Sequence, residues 1–143
     1  MSKVEVKHPE KEISTGAYSA RVLVDCGLCV SGQGPLELKT GNIAEGSIED
    51  RTQLTLSHIG KVLEAGGCTF DNVVRRTYHL GDIPGFDCFN AVYAQFFSRA
   101  KRVRATVQSV QWGGIKVEVE AVGRVSQRQT EEEGVGSVEI PRE

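Results

Sequence analysis

The chain has 143 residues, of which 39% are hydrophobic, and this fits one globular domain with a sizeable core. Its formal net charge of −2 and the lack of an extended basic stripe argue against a nucleic-acid partner. No apolar run approaches the roughly 20 residues that a membrane-spanning helix needs. The first residues, Met1 to Glu5, lack the apolar core of a secretion signal. We therefore expect a cytoplasmic protein without membrane partners.

The N-terminal part of the chain predicts three short strands and a loop. A first strand is expected near Val4 to Val6. Two more, over 21–25 and 28–31, are joined at Cys26-Gly27. The segment 32–46 is rich in glycine and other turn-forming residues, and it predicts a loop.

Two helices are predicted on either side of a strand over 71–80. Ser47 is followed three residues later by Asp50, which is close to a capping box, and Gly66-Gly67 ends this first helix. The second helix begins near Asp82 to Pro84, where a cap precedes an N-terminal proline. Apolar residues at helical spacing predict the core-facing stripes: Leu56, Ile59 and Leu63 in the first helix, and Phe86, Phe89, Tyr93 and Phe96 in the second.

Two C-terminal segments, 103–107 and 115–121, alternate apolar with polar residues and predict strands. The turn signal Gly113-Gly114 between them allows a hairpin. Arg104 and Glu118 could then converge on a small ligand, since arginine binds both oxygens of a carboxylate and glutamate transfers protons. The alternative is an ion pair across the strands on a solvated face, and these residues alone favour it.

The order of elements, ββ-α-β-α-ββ, predicts an α+β domain in which two helices cover one face of a sheet. We expect this single domain to span residues 1–125. Residues 126–143 contain three consecutive acids and no periodicity, and they predict a flexible tail.

The four cysteines include one CxxC motif, Cys26 to Cys29. A zinc ribbon needs a second such pair, and the sequence contains none. Small buried thiols in a reducing compartment are the better interpretation. We expect neither a metal ion nor another cofactor.

Other polar residues are candidates for a site. The hydroxyl of Tyr18 could close a pocket, although an ordinary packed tyrosine is equally plausible. Ser31-Gly32 lies where a strand ends in a glycine-rich turn, so backbone amides there can approach a ligand. Asn90 interrupts the aromatic helix and must be solvated or hydrogen-bonded. None of the three histidines is singled out as a base.

Taken together, these segments resemble the RidA family, also called the YjgF or L-PSP family. The similarity covers residues 16–122, about three quarters of the chain. The residues that carry it are Gly16-Ala17-Tyr18-Ser19, Val30-Ser31-Gly32-Gln33, Ile48-Glu49, Phe89-Asn90-Ala91-Val92-Tyr93, Val103-Arg104-Ala105-Thr106-Val107 and Val117-Glu118-Val119-Glu120-Ala121.

The resemblance implies a chorismate-mutase-like fold, assembled as a homotrimer with a barrel-like core and clefts between subunits. It also implies hydrolytic deamination of enamines and imines such as 2-aminoacrylate, giving a 2-keto acid and ammonia. By position, Arg104 would bind the substrate carboxylate, the backbone at Thr106 would contact the substrate, and Glu118 would orient water. Glu120 is the alternative to Glu118, since the match allows a one-residue shift. The implied pocket-lining residues are Tyr18, Ser31, Gly32 and Asn90.

Departures from the family pattern at Ala17, Gly34, Arg102-Val103 and Gln111-Trp112 are expected to reshape the pocket. Two other functions stay open from the sequence. One is a non-catalytic module that binds keto acids or amino acids through Arg104. The other is the ribonuclease or translation-inhibitor activity attributed to some relatives, against which the acidic balance argues.

Overall fold

A computed structural model describes residues 2–6, 9–10, 19–97, 103–125 and 138–139. In this part of the chain, one sheet carries two α-helices packed on one of its faces, which confirms the predicted α+β fold. The strands are β1 (Ser2–Val6), β2 (Arg21–Val24), β3 (Gly27–Gln33), β4 (Val73–Leu80), β5 (Val103–Gln108), β6 (Val117–Arg124) and β7 (Val138–Glu139). The helices are α1 (Ile48–Ala65) and α2 (Phe86–Phe96).

The strand order is β5-β4-β6-β3-β2-β1-β7, and β5 pairs with β4 in parallel whereas the other pairs are antiparallel. The hairpin allowed between the two C-terminal segments is therefore wrong. The connection over 109–116 passes the end of β4, where the amide of Ser109 donates to the carbonyl of Leu80 and the amide of Gly81 donates to that of Lys116. This places β6 on the other side of β4, so β4 is paired along both edges.

The start of α1 follows the predicted capping box. The Ser47 hydroxyl accepts a hydrogen bond from the Asp50 amide at 3.1 Å, and the Asp50 carboxylate accepts one from the Ser47 amide at 3.1 Å. These bonds satisfy backbone donors that the first helical turn leaves unpaired. The hydrogen bonds from Ser47 also lower the pKa of Asp50.

Alternation along β4 and β6 gives the sheet two distinct faces. Tyr78, Leu80, Val117 and Val119 are buried in the core against the helices, on what we call the helix face. The residues between them in sequence, such as His79 and Glu118, lie on the opposite side, the open face.

The expectation of small buried thiols holds for Cys68 and is wrong for Cys29 and Cys88, which are exposed. Burial raises the pKa of the Cys68 thiol. Cys29 is exposed because it alternates with the buried Leu28 and Val30 along β3 and so points to the open face.

Most of the predicted C-terminal tail, residues 126–137 and 140–143, lies outside the described residues. The two residues of β7 pair with β1. Among the described residues, neither helix is long and apolar enough to cross a membrane.

Candidate functional site

A β-bulge in β3 creates the first part of the site. Val30 pairs with Ala121 and Gln33 pairs with Val119, so Ser31 and Gly32 together oppose a single residue of β6. The Ser31 hydroxyl donates to the backbone carbonyl of Ser19, and the Ser31 amide donates to that of Ala20 at 2.9 Å. Bulges re-aim side chains and are common beside active sites. Here the bulge fixes Ser31 and Gly32 on the open face.

The carboxyl group of Glu118 lies directly beside Gly32. A Cβ atom on residue 32 would stand 2.8 Å from the Glu118 Cδ atom, closer than real contacts allow. The Glu118 carboxylate can therefore occupy this position only because residue 32 has no side chain. The neighbouring candidate, Glu120, has a side chain that is 51% exposed, and its Oε1 atom lies 3.9 Å from Nε2 of His79. The geometry favours Glu118 as the carboxylate that faces the bulge.

Both glutamates line a cavity of about 470 Å³ on this side of the sheet. We call the group Ser31, Gly32 and Glu118 the carboxylate half-site. Two of the departures from the family pattern lie in the same cavity, since Gly34 and Trp112 line it. A Cβ on Gly34 would be 3.4 Å from Cδ1 of Ile115, and Trp112 is 69% exposed. The departures are thus positioned to shape the volume in front of Glu118.

The second part of the site lies on β5, an edge strand of the sheet. The Arg104 Nη1 atom donates a hydrogen bond to Oδ1 of Asn90 at 2.8 Å. The guanidinium carbon lies 4.9 Å from the centroid of the Tyr93 ring and 5.6 Å from that of Phe86. Both rings belong to α2, so Arg104 is on the helix face. Thr106 is two residues along the strand and shares this face.

Arg104, Asn90 and Thr106 form what we call the arginine half-site. It does not meet the carboxylate half-site within one chain. Arg104 pairs with Arg76 of β4, whereas Glu118 pairs with His79, and the two side chains project from opposite faces. The expected convergence of Arg104 and Glu118 through a hairpin is therefore wrong, because β4 separates their strands. A ligand that touches both groups would need half-sites from two chains.

Sequence reasoning gave no role to His79, which the structure brings to the carboxylate half-site. It pairs with Glu118 across the strands, and its Nδ1 atom lies 3.4 Å from the Ser109 hydroxyl. The alternation of β4 signals that His79 points away from the helices, but its neighbours depend on strand pairing. Tyr18, the remaining predicted pocket residue, lies outside the described residues. In the described part of the chain, no group of three metal-binding side chains suits a metal ion.

A comparison with protein families matches residues 9–125 to the model described as endoribonuclease L-PSP. This match covers most of the chain. The chain belongs to the RidA/YjgF/L-PSP family. The resemblance that the sequence motifs suggested is thereby confirmed.

Individual relatives agree with this assignment. The chain is 38% identical over 109 residues to a goat (Capra hircus) protein named 2-iminobutanoate/2-iminopropanoate deaminase, a match that covers 75% of this chain and 79% of the relative. The crystal structure of the yeast protein YEO7 superimposes with a TM-score of 0.82 at 30% identity, covering 87% of this chain and 99% of that one. E. coli TdcF with bound serine gives a TM-score of 0.75 at 27% identity, covering 86% and 98%.

Proposed function

We propose that this protein is a hydrolytic deaminase of enamine and imine intermediates such as 2-aminoacrylate, releasing ammonia and a 2-keto acid. The observation that carries the proposal is the pair of half-sites, one with an arginine held by an amide and one with a carboxylate held against a glycine. The goat relative's name gives a substrate class of the same chemistry. Serine bound to TdcF supports a ligand that carries a carboxylate and a nitrogen.

Arg104 would bind the substrate carboxylate. Its guanidinium has five N–H donors in a planar fork, and Asn90 accepts from Nη1, so the remaining donors can meet the two oxygens of a carboxylate. The rings of Tyr93 and Phe86 pack against the guanidinium and restrict its orientation. The backbone of Thr106 would complete this end of the site.

Glu118 would activate the water that attacks the imine carbon. The carboxylate accepts a proton from water as the oxygen bonds to carbon, and this proton passes to the nitrogen to give a neutral carbinolamine. The carboxylate then carries the hydroxyl proton to the amino group, and the carbon–nitrogen bond breaks with loss of ammonia as the carbonyl forms. An enamine enters the same route after tautomerising to the imine. Since an imine is already electrophilic, positioning and one proton acceptor are sufficient.

The two half-sites would be joined in a homotrimer, with each site between neighbouring subunits. The opposite faces of Arg104 and Glu118 support this arrangement, because the arginine half-site of one chain can then face the carboxylate half-site of the next. Tyr18 is proposed to close the same cleft.

A coupled assay tests the proposal. An amino-acid oxidase generates imines, or a serine dehydratase generates 2-aminoacrylate, and the rate of keto-acid release is measured with and without the protein. We expect acceleration by the wild type and its loss in Arg104→Ala and Glu118→Gln. Glu120→Gln is the matched control for the neighbouring carboxylate, and it should retain most of the activity.

The outcomes separate the alternatives. Wild-type rates equal to the uncatalysed rate on several imines would reject the deaminase. If keto acids still raised its melting temperature in that case, a binding module would be the better assignment. Salt-sensitive RNA cleavage would instead favour the ribonuclease function.

A further inference from the structure

Arg76 is a charged residue in the core of the protein that the proposed reaction does not use. It lies on the helix face of β4 and is only 3% exposed. Its guanidinium carbon is 4.1 Å from the centroid of the Phe97 ring and 5.2 Å from that of Tyr93. Arginine stays protonated in proteins, so this is a buried positive charge.

Two nitrogen atoms of the Arg76 guanidinium group lack acceptors. Nε and Nη1 are buried and have no hydrogen-bond partner, and no ion pair to Arg76 occurs among the described residues. The face of the Phe97 ring packs against the guanidinium group. The N–H groups in the guanidinium plane still need oxygen atoms as hydrogen-bond acceptors. An unpaired buried charge is strongly unfavourable, because it loses its hydration without compensation. A bound anion would pair the charge of Arg76 and accept its hydrogen bonds.

This arginine belongs to the same neighbourhood as Arg104. The two are register partners on adjacent parallel strands, and the guanidinium carbons lie 5.2 and 4.9 Å from the centroid of the Tyr93 ring. The hydroxyls of Tyr78 and Tyr93 are also buried, and the centroids of the two rings lie 5.0 Å apart. We call Arg76, Tyr78, Tyr93 and Arg104 the donor cluster. In the described part of the chain, the one side-chain acceptor bonded to this cluster is Asn90, which meets Arg104.

We propose that the donor cluster binds a second carboxylate of the substrate at Arg76, so that the preferred substrate is a 2-imino dicarboxylate. This inference rests on the proposed deaminase function. Arg104 holds the carboxylate next to the imine carbon, and Arg76 holds the distal one with a planar, bidentate contact. The second anion thereby pairs a charge that one monocarboxylate leaves unpaired. Arg76 is a specificity residue that does not touch the reacting atoms.

The test compares imines of one and two carboxylates in the same assay. Oxidases acting on alanine, aspartate and glutamate supply the imines, and kcat/KM is measured for each. Wild type should prefer a dicarboxylate by roughly ten- to hundredfold, the range expected for a charged hydrogen-bonded contact. Arg76→Met should reduce this ratio to about one, mainly through a loss of kcat/KM for the dicarboxylates. Arg75→Met, which removes the same charge from the next residue on the open face, should leave the ratio unchanged.

Failure of this inference is distinguishable from failure of the deaminase proposal. If wild type deaminates the alanine-derived imine with no preference for either dicarboxylate, the role of Arg76 is rejected and the deaminase stands. If no imine is accelerated, the deaminase falls, and thermal shifts with 2-oxoglutarate, succinate and pyruvate decide about the site. Larger shifts with the dicarboxylates that disappear in Arg76→Met would support it, and equal shifts would reject it. Should Arg76→Met not fold, Arg76→Lys takes its place, with an intermediate ratio expected.

Discussion

The Glu118 carboxyl group lies where the side chain of residue 32 would begin if that residue were not glycine. The two residues come from neighbouring strands, and the bulge in β3 brings them together. The position of the proposed proton acceptor is thus set by a missing side chain as much as by the glutamate itself.

Gly32→Ala should impair activity more than folding. The new methyl group displaces the end of a flexible side chain and no backbone, so the melting temperature should change little. Misplacement of the carboxylate should lower kcat/KM by about ten- to hundredfold. Gly85→Ala is the matched control, because a Cβ there would be 3.5 Å from its nearest neighbour, an ordinary contact. Equal activity of the two variants would contradict the placement of Glu118.

Substitutions at Asn90 should act through Arg104. Asn90→Ala removes a hydrogen bond to a charged group, worth about 1.5–3 kcal/mol, and should raise KM by roughly tenfold or more. Asn90→Asp should weaken substrate binding further, because its carboxylate would compete for the guanidinium. Steady-state kinetics check both, with Gln95→Ala, at an exposed position of α2, as the control. A KM for Asn90→Asp at or below the wild-type value would refute this coupling.

The capping box of α1 predicts a pH-dependent stability. Ser47→Ala should cost about 1 kcal/mol of unfolding free energy, the usual loss for an N-cap. Because the folded-state pKa of Asp50 is lowered below its ordinary value of 3.8, its carboxylate contributes stability above that pH, and the contribution is lost as the pH falls through the folded pKa. Wild type and Asp50→Asn should therefore differ at neutral pH and converge in acid. Denaturant titrations across this range measure the difference, and a constant gap would be inconsistent with it.

Glu49 should control the reactivity of Cys88. Its carboxylate accepts a hydrogen bond from the Cys88 thiol and raises the pKa of that thiol. The fraction of thiolate available for alkylation is therefore lower. Glu49→Gln should lower this pKa and speed reaction with iodoacetamide at pH near 8. Peptide mass spectrometry follows Cys88, and the exposed Cys29 in the same sample serves as the internal control. An unchanged Cys88 rate would argue against the contact.

Mixing two inactive variants should restore activity if the site is shared between chains. Neither Arg104→Ala nor Glu118→Gln has a complete site, but subunits exchanged between them give some interfaces with both native residues. Random mixing should recover about a quarter of wild-type activity, since each site takes one residue from each of two independent subunits. No recovery after denaturation and joint refolding, with assembly verified by light scattering, would mean that the two groups do not serve one site.

Local patterns predicted much of this structure. The alternation in β6, the capping box at Ser47 and the apolar stripes of both helices depend on residues close in sequence, and each appears as expected. The order of the strands was not predictable in the same way. Nothing near Gly113-Gly114 indicates that β4, which ends at Leu80, lies between β5 and β6.

The sequence named candidate residues for the site, but it did not predict how they lie relative to one another. The family motifs single out Arg104 and Glu118, but their opposite faces follow from pairing with β4. The contact of Glu118 with Gly32 depends on a bulge, and the hydrogen bond of Asn90 depends on how α2 lies over β5. These are packing relationships between distant segments, which side-chain periodicity does not encode.

The placement of Arg104 and Glu118 on opposite faces of the sheet has a genetic consequence. If each site combines two chains, an Arg104→Ala copy expressed beside the normal protein inactivates a site to which a normal neighbouring chain contributes an intact Glu118. In the proposed trimer, a copy that carries both substitutions would inactivate two sites of each assembly it enters. A cell with equal amounts of normal and doubly defective copies would then keep about a quarter of its sites, so such an allele would be partly dominant.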